Sequence, residues 1–320
     1  MGEGVRRLRI LTWPVHGGYL NALVRAEHDW YLPSRPGLHE GYLEHGATFH
    51  GPEWVQSVPA ERVRELDLDL IIYQSSRNLV EDGPDILSPA QRRLPRIYLE
   101  HNVPGHHAAS TPHPFDDPQG VLVHVTQYNR LMWDNGRTPT SVIEHSVAID
   151  PTATYRGDRA EGITVVNEMQ RRSRPVGYDL FLWARERVPL QAAGMGTEAF
   201  GGLGDIPYPE LHHRIAAYRF LFSPMRYTSL PLAVIEAMTI GMPIVALATT
   251  ELPTVIENGV SGYVSCDLDY LVARMGDLIA DPEHARRLGA NARATASDRF
   301  GLDRFIRDWN AAFTRAIDLV

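Results

Sequence analysis

Apolar runs of strand length alternate with amphipathic stretches along this chain, and the alternation restarts halfway. In the first half, residues 8–13, 68–73, 96–100 and 121–126 are nearly continuous apolar segments. Runs of that length and character are expected of strands buried on both faces of a parallel sheet. Helical patterns follow the first run, to about Arg25, and the last, over 127–136. Residues 30–62 are rich in aromatic, glycine and proline residues and carry no readable period. Residues 151–161 are polar and unpatterned, which predicts a linker.

The second half repeats the scheme. Strands are expected at 162–167, 190–193, 219–224, 243–246 and 262–265. Helices are expected at 179–187, 210–218, 232–240, 268–280 and 283–297, with a threonine-capped short helix within 249–259. The last segment places Leu302, Phe305, Ile306, Trp309, Phe313 and Ile317 at helical spacing. This predicts an α/β fold in two domains, residues 1–150 and 162–300, joined by 151–161 and followed by a helix at 301–320.

One stretch organises the second half: Phe222-Ser-Pro-Met-Arg-Tyr-Thr-Ser-Leu-Pro-Leu-Ala-Val-Ile-Glu236-Ala-Met-Thr-Ile-Gly241-Met-Pro-Ile-Val-Ala. It reads as a strand end, a tight loop, an apolar helix and a second buried strand. Gly241 stops the helix, because glycine tolerates the positive φ of a C-cap. Thr228, Ser229, Leu230 and Pro231 precede a helix opening at Leu232, so their amides lie at the positive end of its dipole. Such an arrangement binds diphosphates. Glu236, one turn further on, reaches the position of a vicinal diol such as that of a ribose.

Composition narrows the class. The 320 residues are 44% apolar, enough for sizeable cores, and the net charge of −8 gives no bulk attraction to nucleic acid or anionic membrane. The one cysteine, Cys266, excludes an intrachain disulfide framework and suits a reducing cytoplasm. No apolar run has the ~18 residues of a membrane span, and the first residues lack the apolar core of a signal peptide. A cytoplasmic protein without an integral membrane segment is expected, with peripheral membrane contact left open.

The stretch around Glu236 resembles the donor-site signature of retaining GT-B glycosyltransferases, above all family 4 of the group 1 glycosyl transferases. There, two glutamates are separated by seven intervening residues ahead of Ala-Met. Glu236-Ala237-Met238 and Gly241-Met-Pro-Ile-Val match the second half of the signature, whereas Thr228 stands where the first glutamate is expected. The resemblance implies a GT-B architecture, with two Rossmann-like domains facing a cleft and the C-terminal helix crossing back to the first. It also implies transfer of a sugar from a nucleoside-diphosphate sugar, UDP- or GDP-linked, to a hydroxyl acceptor. Retention would proceed by same-face attack, with the leaving phosphate taking the acceptor's proton. No cofactor or metal is implied.

Individual residues take roles within that expectation. Gly17 and Gly18, after the first strand, would let the donor approach the backbone. His101, at a strand end, would contact the donor sugar. Three arginines within four residues, Arg171, Arg172 and Arg174, lie ahead of a helix and suit phosphate oxygens. Arg172 and Arg174 are assigned the charge of the leaving diphosphate, and Arg171 the donor. The chain contains no lysine, so arginine must serve wherever the family uses one. Donor binding is assigned to Thr228, Ser229, Leu230, Leu232 and Glu236, with Arg226 or Ser229 as substitutes for the absent glutamate. Ile206 and Tyr208 are expected beside the nucleotide base.

Other features read as structural. Asp67-Leu-Asp69 precedes a buried strand rather than ending one, unlike an Asp-x-Asp metal motif. His106, His107 and His113 have no carboxylate or cysteine at a zinc spacing. Neither half carries the Gly-x-Gly-x-x-Gly fingerprint of a dinucleotide dehydrogenase. Two alternatives stay open on the sequence: a GT-B-like sugar-nucleotide epimerase and a non-catalytic sugar-nucleotide or glycan-binding scaffold, the latter motivated by Thr228. The sequence leaves acceptor and oligomeric state open.

Overall fold

A computed structural model of the chain describes residues 6–15, 17–37, 41–44, 51–105 and 107–320. The first five residues and His106 of the histidine cluster lie outside them. The chain divides into two units, residues 1–146 with 302–320, and residues 147–301.

In the first unit the elements run β1 (Arg9–Thr12), α1 (Gly17–Leu23), β2 (Asp29–Arg35), β3 (Leu43–Glu44), β4 (Val55–Pro59), β5 (Leu70–Tyr73), α2 (Gly83–Ile86), β6 (Arg96–Glu100), β7 (Val121–His124), α3 (Gln127–Met132) and β8 (Thr140–Val142). The eight strands among the described residues form one parallel sheet in the order β3-β2-β1-β5-β6-β7-β8, with β4 also pairing β2. Strand direction of building reverses between β1 and β5, so their carboxyl ends flank a crevice.

The second unit runs β9 (Arg159–Val165), α4 (Met169–Arg172), α5 (Tyr178–Arg185), β10 (Leu190–Ala193), α6 (Tyr208–Ile215), β11 (Tyr218–Ser223), α7 (Leu232–Ile240), β12 (Ile244–Leu247), α8 (Leu252–Val255), β13 (Gly262–Ser265), α9 (Leu268–Ala280) and α10 (Pro282–Arg299). Its five parallel strands are ordered β10-β9-β11-β12-β13, which puts the switch point between β9 and β11. The final helix, α11 (Leu302–Asp318), belongs to the first unit. It buries Phe305, Trp309, Ala312, Phe313 and Ala316, while Ile317 stays exposed. Trp309 Nε1 donates to Tyr19 Oη at 3.2 Å, and Arg304 donates to the carbonyls of Glu144 and His145.

The α/β reading and its parallel sheets are as expected, but three local expectations are corrected. Residues 30–62 are not irregular throughout. Asp29–Arg35 is a sheet strand, and Pro33 is accommodated because pairing with β1 ends at Tyr31. The stretch 151–161 is not a free linker, because Ala153 is buried in the second unit's core. Tyr155 there donates from its hydroxyl to the Arg219 carbonyl at 2.7 Å and from its amide to the Ile240 carbonyl at 2.9 Å. Thr249 and Thr250 do not cap α8. Their hydroxyls donate instead to the Met225 carbonyl at 2.8 Å and the Ser229 carbonyl at 3.1 Å.

Helix α7 is apolar all round, as a helix covered on every side should be. Val234, Ile235, Ala237, Met238 and Ile240 are all buried. Each large side chain among them stabilises the fold by about 1.5–3 kcal/mol. Gly241 ends it with φ +91°. Packing behind it is close: a Cβ on Gly289 of α10 would stand 2.0 Å from the Gly241 carbonyl oxygen.

A candidate donor site at the switch point of the second unit

The loops that follow β9 and β11 meet, as the strand order requires. Arg226 and Tyr227 amides both donate to the Pro175 carbonyl, at 2.9 and 3.2 Å. Gly177 has φ +78°, and a Cβ there would stand 2.0 Å from the Pro224 carbonyl oxygen, so only glycine lets the loops approach this far. A carboxylate absent from the sequence reading, Asp179 in the first turn of α5, locks them together. Arg226 donates to both its oxygens, at 2.6 and 2.8 Å, and also to the Arg174 carbonyl. The Arg226 guanidinium beside it holds the Asp179 carboxyl below the usual carboxylate range. Asp179 stands one residue inside a helix start, where a carboxylate suits the helix dipole, but its partner Arg226 lies 47 residues further on.

This lock decides among the basic residues. Arg226 is committed to Asp179 and does not take the place of the glutamate missing at 228. Arg174, assigned to the leaving diphosphate, instead pairs with Asp179 at 3.0 Å, and Arg171 pairs with Glu168 at 3.1 Å. Among the described residues Arg172 makes no ion pair; the one hydrogen bond of its guanidinium is a long 3.4 Å contact to the Asn167 carbonyl. Glu168, ahead of these arginines, and Ser173, between Arg172 and Arg174, have φ +54° and +53°. Non-glycine residues held there cost about 1–3 kcal/mol and persist where the surroundings over-determine them.

On the other side of the crevice, Val234 N makes the first bond of α7, to the Pro231 carbonyl at 3.0 Å. Among the described residues the amides of Ser229, Leu230, Leu232 and Ala233 find no acceptor. Helix starts leave such donors unsatisfied, and an anion fills them. Thr249 and Thr250 engage the loop's carbonyls, and Thr250 does so with φ +52°. Ser229 is buried with its hydroxyl unpartnered, whereas Thr228 is half-buried and makes no hydrogen bond among the described residues.

Glu236 lies in the interior, 4% exposed. Tyr208 donates to its Oε1 at 2.9 Å, and His212 Nε2 stands 3.7 Å from its Oε2. Burial, and then the Glu236 charge, push the Tyr208 phenol well above its ordinary value. Tyr208 was expected to flank a nucleotide base; its hydroxyl is turned to Glu236 instead. Ile206, expected beside it, is buried in the core of the unit. His212 carried no assignment, although Tyr208 and His212 fall one turn apart on one helix face.

The assigned residues Gly17, Gly18 and His101 lie in the first unit. Gly17 and Gly18 form the first turn of α1, not a loop, and a Cβ on Gly17 would meet nothing within 4 Å. His101 follows β6, and its Nε2 is 3.0 Å from Gln74 Oε1. Gln74 Nε2 donates to Trp13 O at 2.7 Å and Thr12 Oγ1 at 2.9 Å. A backbone carbonyl only accepts, so the Gln74 amide is oriented and its Oε1 accepts from His101 Nε2–H. Asp67 and Asp69 are structural as read: both pair with Arg9, whose guanidinium holds Asp69 below the usual carboxylate range. Among the described residues no three histidine, cysteine or acidic side chains gather as metal ligands, and no helix is long and apolar enough to cross a membrane.

The family described as Glycosyl transferases group 1 matches residues 192–295, which include Tyr208, His212 and the loop into Glu236 but start after the arginines. The chain is 25% identical to the GDP-mannose-dependent alpha-(1-6)-phosphatidylinositol monomannoside mannosyltransferase of Mycolicibacterium smegmatis, with 88% of this chain and 89% of that protein aligned. It is 33% identical to the MMP alpha-(1->4)-mannosyltransferase of Mycolicibacterium hassiacum over 36% of this chain and 28% of that one. Among solved structures, Anabaena HepE in complex with UDP and glucose superposes with a TM-score of 0.70 at 16% identity, over 96% of this chain and 100% of that one. Residues 192–295 are thus similar to the group 1 glycosyl transferases, and the chain is a glycosyltransferase of the GT-B fold, using a nucleotide-sugar donor.

Proposed function

We propose that the crevice between β9 and β11 binds the diphosphate of the donor, and that the sugar passes to a hydroxyl acceptor with retention of its anomeric configuration. The observation that carries this reading is the meeting of two loops, one with unsatisfied amides at 229, 230, 232 and 233 and the other with Arg172, its one arginine without a carboxylate partner. Breaking the glycosidic bond leaves negative charge on the departing diphosphate. Donors fixed in place before the reaction stabilise that charge without reorganising. Arg172 and the amides supply it from the protein itself, so no divalent cation is required. Ser229, Leu230 and Leu232 contribute backbone, and Glu236 anchors the ribose.

GDP-mannose is the first donor to test, since the M. smegmatis relative is named for it, with UDP-glucose next because HepE is solved with UDP and glucose. The acceptor is a hydroxyl on a glycan, a lipid-linked sugar or a small molecule. The experiment is thermal stabilisation by GDP, UDP, ADP and TDP in excess chelator, followed by turnover of the sugar nucleotide of the base that binds. Binding raises the melting temperature by mass action. An α-linked product from an α-linked donor establishes retention. Stabilisation or turnover that disappears in chelator would overturn metal independence, and no shift with any diphosphate would overturn the site.

A further inference from the structure

The carboxylate of Glu236 sits in a small closed cluster that nothing in the diphosphate reading requires. It is almost fully buried, and a buried carboxylate without donors is costly. Two donors stand on a single face of α6. Tyr208 Oη bonds Oε1 at 2.9 Å. One turn later, His212, 1% exposed, has its Nε2 3.7 Å from Oε2 and no hydrogen-bond partner. The two rings meet edge to face at 4.9 Å, which fixes each against the other. Neither residue can be displaced without disturbing the other, because i and i+4 share one helix face.

We infer that Tyr208 and His212 are positioning residues for Glu236: Tyr208 fixes the carboxylate rotamer through Oε1, so that lone pairs of Oε2 are presented to a ribose diol. This rests on the reading of Glu236 as the ribose anchor and extends it to the residues that make the anchor rigid. A carboxylate offers about four lone-pair sites. One is taken by the tyrosine, and the ligand's hydroxyls compete for those that remain. His212 lies beyond hydrogen-bond reach of Oε2 and acts as the wall that keeps the carboxylate from rotating away. The unpartnered imidazole nitrogen is what such a wall leaves behind: it is too close for water to enter and too far to bond.

A merely structural role would weaken every ligand of the unit alike, whereas a positioning role acts only through the ribose hydroxyls. The test measures dissociation constants of UDP and GDP against their 2′,3′-dideoxy counterparts, for the native protein, Glu236→Gln and Tyr208→Phe. Phenylalanine keeps the ring contact with His212 and removes only the hydroxyl, and a melting curve checks that the variant is folded. Tyr208→Phe should lose about tenfold in affinity for the ribonucleotide, the worth of one hydrogen bond to a charged group, and nothing for the dideoxy form. Equal losses for both forms, or no loss for either, would overturn the inference while leaving the anchor in place. Should Glu236→Gln itself fail to distinguish the two forms, the anchor reading falls and this inference with it.

Discussion

The two units have the same kind of crevice, at the carboxyl ends of the strands where the order of the sheet reverses, and they fill it in opposite ways. In the first, Thr12, Trp13, Gln74 and His101 come from the ends of β1, β5 and β6, and the Gln74 side chain bonds the Thr12 hydroxyl, the Trp13 carbonyl and the His101 imidazole. In the second, the amides of residues 229, 230, 232 and 233 and the Arg172 guanidinium are left without anionic partners among the described residues, although Asp179 and Glu168 engage the arginines beside them. A satisfied neutral network holds a side chain in one orientation. A set of unpaired donors around a strained loop waits for a ligand. The same topology thus supplies one crevice suited to orienting a histidine and another suited to an anion.

Four variants sharpen that contrast. The largest effect is expected from Arg172→Ala, which removes the unpaired cation of the second crevice. Loss of one pre-placed donor to a leaving group costs about 10²–10³ in turnover, with little change in melting temperature because the side chain carries no structural ion pair. Steady-state kinetics beside a melting curve would show this, and an equal loss of stability would place Arg172 in the scaffold. Next, Gly177→Ala forces a Cβ towards the Pro224 carbonyl at positive φ. Destabilisation of about 2 kcal/mol or more follows, together with weaker nucleotide binding, because the two loops can no longer approach.

In the first crevice, Gln74→Leu removes the amide that bonds Thr12 Oγ1, the Trp13 carbonyl and His101 Nε2, at about 0.5–1.5 kcal/mol for each hydrogen bond lost. Nucleoside diphosphate affinity should be unchanged, since the network is built from residues of the first unit and the diphosphate crevice from residues of the second. Chemical denaturation and ligand titration would separate the two, and a fall in diphosphate affinity would erase the distinction drawn between the crevices. The smallest effect is that of Asp179→Asn. The pair with Arg226 is partly exposed, so its worth is below about 1 kcal/mol. Its sign is fixed by the lowered pKa of Asp179. The stabilisation is fully present above the ordinary carboxylate range and is lost as pH falls through the lower, folded value. Melting curves of the native and variant proteins should differ at neutral pH and converge in acid; a difference that grows on acidification contradicts the pair.

Sequence alone determined what depends on neighbours along the chain. Apolar runs gave most of the strands, because a strand buried on both faces has no polar side to show. Gly241 marked the end of α7, and the residues from Thr228 to Glu236 marked a loop feeding a helix start, since capping and orphaned amides are properties of a few consecutive residues. The departure at Thr228 was equally plain. What the sequence did not reveal came from pairings across many residues. Pro33 hid β2, because whether a proline breaks a strand depends on which neighbours pair beside it.

Three neighbouring arginines looked equivalent until Asp179 and Glu168 engaged two of them. Tyr208 looked like a surface for a base until α6 was laid against α7 and its hydroxyl met Glu236. The orientation of Gln74, and through it the proton on His101, follows from a carbonyl sixty-one residues away. Local backbone preference writes the elements and the loop at a helix start; which charges remain unpaired in a crevice is a property of the packed fold, because a partner is chosen by distance in space.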